Sequence, residues 1–441
     1  MADVAVTRTP TLVLRFADLG IVTYGSLRVV GQPQRTVTWV IEEPFLLTAL
    51  AALEAALPEP RYSETAVEAL DRALRRGAFA NRADELGLAY RLGVLLLSAA
   101  AWRLLEACAG DTRAVLFVAP SARLARIPWG LLAVPAARPG ASEMMRARAA
   151  AMTTAGRQPA DIPWPTVDSD ELTDGRRMLE LADVLFAVPV AITAAPRRAV
   201  SWHRRAGRPA LVILDPRVPG QLPDSALGSV LGRPSADSLL GRHFAPDVGQ
   251  GAVLPDVGDV VQLFRRADAD RAWLAAQLAA GPARLLFVGH AVAGAEAAGG
   301  SAVYLAEERP LRAADVTAAR LPIPPRVALL ACASAGDYRF DEARGLVAAM
   351  VLGGAQLVTA VLWSLPTTVG LGRFAPPTPG HRADPMANLV AAVDDAHRQP
   401  NAGRAVNDWQ RAQLRRWRHG ESTANPVHWA ALATFAVDGA R

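Results

Sequence analysis

The second half of the chain alternates short, uncharged apolar runs with helical patterns, and this alternation restricts the possible folds more than any other feature. The apolar runs have the composition of strands that are buried on both faces of a sheet. Helical stretches between them are typical of the crossovers that join parallel strands. We therefore predict a mostly parallel central sheet with helices on both faces, in a three-layer α/β/α arrangement. The predicted strands are residues 211–214, 285–288, 327–330 and 357–362.

Helices are predicted between these strands and after them. Asp341 has the side chain of an N-cap, and Gly353 is the type of residue that follows a helix end. The predicted helices are residues 270–280, 312–319, 341–352, 388–398 and 404–418, with a small hairpin strand at 303–305 and a closing strand at 429–437.

The first half begins with β-rich runs bounded by Gly and Pro and continues with helical stretches. In the last stretch the apolar residues recur at helical spacing, and Cys108 lies on that face, which predicts a packed core thiol. The predicted strands are residues 11–16, 22–30, 36–41 and 113–119, and the predicted helices are residues 44–57, 63–76, 83–109 and 143–152.

Four segments are expected along the chain. We predict an α+β region over 1–110 and a second portion over 111–195 that contains a loop or insertion at 138–173. An Arg-rich linker over 196–208 precedes the α/β domain over 209–441. No internal repeat is evident.

Composition and charge argue against a nucleic-acid-binding surface and against a membrane span. Every basic residue is Arg, and the net charge of +5 is small for 441 residues. The Arg-rich stretches 197–208 and 411–418 lack the aromatic spacing of a nucleic-acid platform, so we interpret them as a solvated linker and helix face. The uncharged segment 345–363 contains glycines and fits a buried helix and strand better than a membrane span.

The two cysteines, Cys108 and Cys332, exclude a disulfide framework and a multi-Cys metal site, and they fit a reducing cytoplasm. The N-terminus lacks the pattern of a signal peptide. No phosphate-binding, dinucleotide-binding or metal-ligand motif is present, so no cofactor or metal is predicted.

Two reactive side chains directly follow predicted strands. His290 comes after the run that ends at Gly289, and Cys332 comes after the run that ends at Ala331. Because the carboxyl ends of parallel strands gather at one edge of the sheet, the thiol and the imidazole can meet there. An imidazole can take the thiol proton and later protonate a leaving amine. Backbone N–H groups at the strand ends, those of Ala291 and Cys332, are candidates for an oxyanion hole.

Each residue also has a structural interpretation. A single His or a single Cys after a strand is more often part of the core than of an active site. The pair at equivalent strand ends is more specific than either residue alone.

Seven segments in the same order resemble the CHAT family of caspase-like peptidases, which is related to separases. The His motif "LLFVGH" ends at His290, and the Cys motif "RVALLACASAGD" contains Cys332. The other matching segments are residues 115–132, 211–216, 310–316, 342–366 and 425–439.

The resemblance implies a caspase-like sandwich preceded by a pseudo-caspase-like portion without catalytic residues. It implies hydrolysis of peptide bonds in a protein substrate, with Cys332 as nucleophile and His290 as base. The loop 362–365, with Trp363 and Ser364, would flank the substrate main chain. Family members often act in bacterial signalling or defence, where a partner protein activates them.

Two departures from the family pattern matter. The family often has Gly after the His, where this chain has Ala291, and an acidic residue after the Cys, where it has Ala333. Two alternatives to an active peptidase therefore stay open. One is a catalytically inactive scaffold that binds a partner, and the other is a different thiol hydrolase or an acyl transferase. Asp337 is a candidate for binding a basic substrate residue, although acidic residues here also suit the start of the next helix.

Overall fold

The computed structural model of the chain describes residues 9–110, 113–153, 158–164, 169–220, 228–292, 300–332, 334–335, 345–367, 370–371, 374 and 384–441. This part of the chain opens with three consecutive strands and four α-helices, and the later strands are separated by helices except for four consecutive strands between residues 284 and 312. The strands are β1 Thr11–Asp18, β2 Val22–Val29, β3 Gln32–Glu42, β4 Ala114–Ala119, β5 Ala182–Ala187, β6 Ala210–Leu214, β7 Val253–Leu254, β8 Arg284–Gly289, β9 Ala291–Val292, β10 Ala302–Val303, β11 Leu311–Arg312, β12 Arg326–Ala331, β13 Leu357–Val361 and β14 Leu432–Ala436.

The helices lie between these strands and after them, together with short 3₁₀ turns. They are α1 Glu43–Ala56, α2 Ala66–Asp71, α3 Arg82–Leu96, α4 Ala99–Cys108, α5 Ala141–Thr153, α6 Ser169–Leu172, α7 Met178–Leu181, α8 Val190–Thr193, α9 Leu239–Phe244, α10 Arg271–Ala279, α11 Ala313–Ala318, α12 Leu346–Gly353, α13 Pro385–Arg398, α14 Ala402–Arg418 and α15 Pro426–Trp429.

One large sheet confirms the predicted α/β class. Its strand order is β3-β2-β1-β4-β5-β14-β13-β12-β8-β6-β7, and a small antiparallel sheet has the order β11-β10-β9. In the large sheet β1 to β3 are antiparallel to one another and β14 is antiparallel to β13, whereas the remaining neighbours are parallel. The four strands predicted in the second half are present as β6, β8, β12 and β13.

The central strands are covered on both faces. Every residue of β6, β8, β12, β13 and β14 is buried. Helix α13 packs on β8 and β12, and α12 packs on β13. One continuous cluster of buried apolar residues extends from Leu12 to Val437, so the N-terminal strands share their core with the C-terminal ones.

The predicted helix over 83–109 is two helices. Helices α3 and α4 meet at an angle of 105°. The Ser98 hydroxyl accepts a hydrogen bond from Ala101 N–H at 3.1 Å and begins α4 as its N-cap. Cys108 is buried at the end of α4, as its spacing indicates. Among the described residues, no single helix has the length and hydropathy to cross a membrane, although the bent pair of α3 and α4 passes that test jointly.

The end of α12 also differs from the prediction. Gly353 belongs to the helix, and Gly354 is the residue with positive φ, at 130°. A Cβ atom on Gly354 would lie 2.9 Å from the Ile323 carbonyl oxygen, so a larger residue would clash there. The predicted N-cap, Asp341, lies outside the described residues.

The prediction of a solvated Arg-rich face over 411–418 is wrong for Arg411. Its guanidinium is buried and pairs with Asp183 at 2.6 Å, and it donates to the carbonyls of Leu179 and Ala182. A guanidinium has enough N–H donors to bond all three of these acceptors at once. A chain without Lys can therefore bury its cations with their hydrogen bonds made.

Two buried histidines make the stability of the fold sensitive to acid. Burial lowers the pKa of His397 to about 3 and that of His428 to about 4. His397 Nε2 lies 2.8 Å from the Thr359 hydroxyl, and His428 Nε2 lies 3.0 Å from the Pro366 carbonyl oxygen. Below a pH of about 6.5 the unfolded chain binds protons at these groups and the folded chain does not.

We therefore predict that the free energy of unfolding falls as the pH drops from about 6.5 to about 5, by up to about 1.4 kcal/mol per pH unit for each histidine. His428→Gln keeps an N–H donor for Pro366 and should reduce this slope. His203→Gln, at an exposed position, is the control. Denaturant titrations at several pH values measure the effect, and an unchanged slope in His428→Gln would contradict it.

Candidate active site

The register of two adjacent strands brings the predicted thiol and imidazole to one edge of the sheet. Strands β8 and β12 are parallel neighbours, and Gly289 is the partner of Ala331. The next residues along the two strands are His290 and Cys332. Parallel strands are about 4.8 Å apart, so these two side chains start from neighbouring positions on the sheet edge.

The hydrogen bond of the His290 ring determines which nitrogen can act as a base. His290 Nε2 lies 2.6 Å from the carbonyl oxygen of Gly228. A carbonyl only accepts hydrogen bonds, so Nε2 carries the proton and Nδ1 keeps its lone pair when the ring is neutral. The carbonyl of His290 itself accepts from Tyr304 N–H at 3.0 Å.

Cys332 is partly buried, and its surroundings act on the thiol in opposite directions. Burial raises the pKa of Cys332, while hydrogen bonds from the Ser364 hydroxyl and the Leu365 backbone N–H lower it. The net effect is a raised pKa, so the thiol is protonated at neutral pH. These two donors and the backbone N–H of Cys332, which also lowers the pKa, would stabilise a thiolate once the proton is removed.

The loop after β13 is anchored in the core by the side chain of Trp363. Trp363 is fully buried, donates from Nε1 to the Val427 carbonyl at 2.9 Å and stacks on Phe79. Its side chain therefore faces the core, and only its backbone can serve the predicted role in substrate binding. The loop presents Ser364 and Leu365 to the thiol.

Ser334 is a structural residue of the site that the sequence alone did not reveal. Its hydroxyl lies 2.7 Å from the Leu329 carbonyl oxygen and accepts from Val361 N–H at 3.0 Å. Ala335 N–H donates to the Val361 carbonyl at 3.0 Å. These bonds tie the turn that follows Cys332 to the end of β13, and so hold the thiol near the loop of Ser364.

Glu59, from the segment after α1, reaches the same loop. One carboxylate oxygen accepts from Ser364 N–H at 2.9 Å, and the other pairs with Arg126. The Glu59 charge contributes to the raised pKa of Cys332, after the larger effect of burial. Arg72 holds this segment by donating to the carbonyls of Leu57 and Glu59 at 3.0 and 2.9 Å.

The other predicted site residues are placed as follows. Ala291 lies in the extended backbone of β9 and not in the left-handed region, so the missing glycine at this position causes no backbone strain. Asp337 and Ala333 lie outside the described residues.

One group of side chains in the described ranges has donors of the kind that bind metal ions: His243, Asp394 and Asp395. The Asp394 carboxylate already pairs with Arg284 at 3.0 Å and with Arg398 at 2.7 Å. Two guanidinium groups neutralise the charge on Asp394 that would attract a cation, so this carboxylate belongs to a buried ion-pair network.

The mainly parallel sheet, with His290 and Cys332 after the ends of two neighbouring strands, defines an α/β protein. Residues 92–439 match the sequence model of the CHAT domain. The chain therefore belongs to the CHAT-domain family, whose caspase-like members are associated with cysteine peptidase activity.

No curated protein matches the chain significantly. Among solved structures, the chain is similar to the Saccharomyces cerevisiae separase–securin complex, with a TM-score of 0.41 and 11% sequence identity. The similarity covers 97% of this chain and 30% of that chain.

The contact between Glu59 and Ser364 yields a prediction. Glu59→Gln keeps the hydrogen-bond acceptor but removes the charge that raises the pKa of Cys332. We expect the variant to react about threefold faster with iodoacetamide at about pH 7.5, a modest factor because Glu59 is partly exposed. Mass spectrometry of the Cys332 peptide measures the rate.

Glu54→Gln is the matched control, because Glu54 is exposed on the same surface. Its rate should equal that of the wild type. An unchanged or slower rate in Glu59→Gln would contradict the electrostatic coupling.

Proposed function

We propose that the chain is a cysteine endopeptidase in which Cys332 is the nucleophile and His290 the general base. The main support for this proposal is the pairing of Gly289 with Ala331, because the two reactive residues then follow adjacent strand ends. The Nε2–H form of His290 supports it further, since that form leaves Nδ1 free to accept a proton.

In the first step His290 Nδ1 takes the proton of the Cys332 thiol as the sulfur attacks the carbonyl carbon of the scissile peptide bond. The imidazolium then donates that proton to the leaving amine, the C–N bond breaks and an acyl-enzyme remains. Water, deprotonated by the same imidazole, hydrolyses the thioester and restores the thiol. Because burial keeps the thiol neutral, proton transfer to His290 accompanies the attack.

The negative oxygen of the tetrahedral intermediate needs donors that are fixed in advance. The backbone N–H groups of Cys332 and Ala291 are the proposed donors, since Cys332 directly follows β12 and Ala291 lies two residues after the last residue of β8. One such donor contributes roughly 3 kcal/mol to lowering a barrier of this kind.

The substrate main chain is proposed to bind along the loop of Trp363 and Ser364. Its backbone is rigid because Trp363 is anchored in the core, and Ser364 and Leu365 contact the thiol. Asp337 remains a candidate for contacting a basic substrate side chain.

Regulation by a partner protein, in bacterial signalling or defence, belongs to the proposal. Glu59 occupies Ser364 N–H, a donor that a bound substrate would use, and burial disfavours the thiolate. An activator that moves the Glu59 segment would release this donor. The same two observations favour the second candidate function, a catalytically silent scaffold that binds a partner protein.

A thiol-directed peptidyl probe tests the proposal. A panel of peptidyl acyloxymethyl ketones should label the full-length protein at Cys332, located by mass spectrometry. Cys332→Ala and His290→Ala should lose the label, while Cys108→Ala should retain it because Cys108 is buried in the core.

Iodoacetamide, which needs no peptide recognition, separates the two candidate functions. If it alkylates native Cys332 while no peptidyl probe does, with or without cell extract as a source of activator, the peptidase proposal fails and the scaffold is favoured.

A further inference from the structure

Asp215 occupies an unusual position at the end of β6, beside the strand that carries His290. It is completely buried and has a φ of 53°, in the left-handed region that few residues other than Gly, Asn and Asp adopt. Its N–H donates to the Val288 carbonyl at 2.6 Å, two residues before His290. The backbone of Asp215 is therefore fixed to β8 itself.

The Asp215 carboxylate collects donors from one short segment, residues 229–231. Its Oδ2 atom lies 2.6 Å from the Ser229 hydroxyl and accepts from the N–H groups of Val230 and Leu231 at 3.1 and 3.4 Å. Arg265 adds an ion pair at 3.3 Å. A single buried oxygen thus holds the start of this segment against the end of β6.

The residue just before this segment is Gly228, whose carbonyl accepts from His290 Nε2 at 2.6 Å. Asp215 does not contact the imidazole in these bonds. Its backbone N–H is bonded to β8, the strand that precedes His290, and its carboxylate holds the segment that begins next to Gly228. Asp215 therefore fixes the position of the Gly228 carbonyl relative to β8.

We propose that Asp215 is a positioning residue for His290: by anchoring residues 229–231 it places the Gly228 carbonyl that keeps the ring in the Nε2–H form. The inference rests on the proposed function, because the tautomer matters only if Nδ1 takes the thiol proton. Without the anchor the Gly228 carbonyl moves away, the ring turns or changes tautomer, and Nδ1 is no longer held in the unprotonated form that a base needs.

Two substitutions distinguish the effect of the Asp215 carboxylate from the effect of the positive φ at this position. Asp215→Gly removes the acceptor, and glycine adopts positive φ at no steric cost. Asp215→Asn keeps one acceptor oxygen and is also tolerated in the left-handed region. A purely structural role of the backbone would make the glycine variant the milder of the two.

The experiment measures the iodoacetamide reaction rate of Cys332 in the full-length protein from about pH 6 to about pH 10.5, where hydroxide removes the thiol proton without help. The rate lost in His290→Ala defines the His290-dependent part. We expect Asp215→Gly to lower the His290-dependent rate about tenfold at neutral pH, which corresponds to the loss of roughly 1.4 kcal/mol of hydrogen bonding. At the highest pH the rate of this variant should approach that of the wild type. Asp215→Asn should retain most of it.

Cys108 provides the folding control within each sample. It is buried in the core, so it stays unreactive as long as the variant is folded. A folded Asp215→Gly protein whose pH–rate profile equals that of the wild type would overturn the proposal. So would equal losses in Asp215→Asn and Asp215→Gly, since the retained acceptor would then have no effect.

If Asp215→Gly exposes Cys108, Ser229→Ala decides instead, because Ser229 lies in a partly exposed segment and supplies the shortest contact. A fall of about threefold in the His290-dependent rate supports the proposal, and an unchanged rate overturns it. Failure of the proposed function has a different signature: His290→Ala itself would then match the wild type at every pH.

Discussion

The parallel pairing of β8 with β12 is the constraint on which the site depends. It matches Gly289 with Ala331, and the chain then leaves both strands at the same edge. A shift of one residue in this register would turn every side chain of one strand to the opposite face, and the buried faces of both strands forbid it. The relative position of thiol and imidazole is thus set by the packing of the core.

The surroundings of the two side chains control their protonation. The Gly228 carbonyl fixes the proton of His290 on Nε2, while burial keeps the proton of Cys332 on the sulfur. Glu59 adds a negative charge from a segment that lies 305 residues before Ser364 in the sequence. The N-terminal region is therefore part of the site as well as of the continuous sheet.

The sequence predicted the strand ends well because they depend on local patterns: apolar runs, and the His and Cys that follow them. It did not predict β5, or the break between α3 and α4. The contacts of Glu59, Asp215 and Ser334 depend on tertiary approach, and no local pattern encodes them. The burial of Arg411 was missed for the same reason, since its partner Asp183 lies 228 residues away. The division into domains, the role of Asp337 and the catalytic roles of His290 and Cys332 remain predictions.

The proposed role of His290 as a base depends on the tautomer of its ring, which NMR can measure. Nitrogen NMR of protein labelled with ¹⁵N-histidine, with the ring assigned through His290→Gln, distinguishes a protonated from an unprotonated ring nitrogen at each position. We expect a proton on Nε2, a lone pair on Nδ1, and a shift of the Nδ1 resonance when Cys332 is replaced by Ser. A proton on Nδ1, or an Nδ1 resonance indifferent to residue 332, would contradict it.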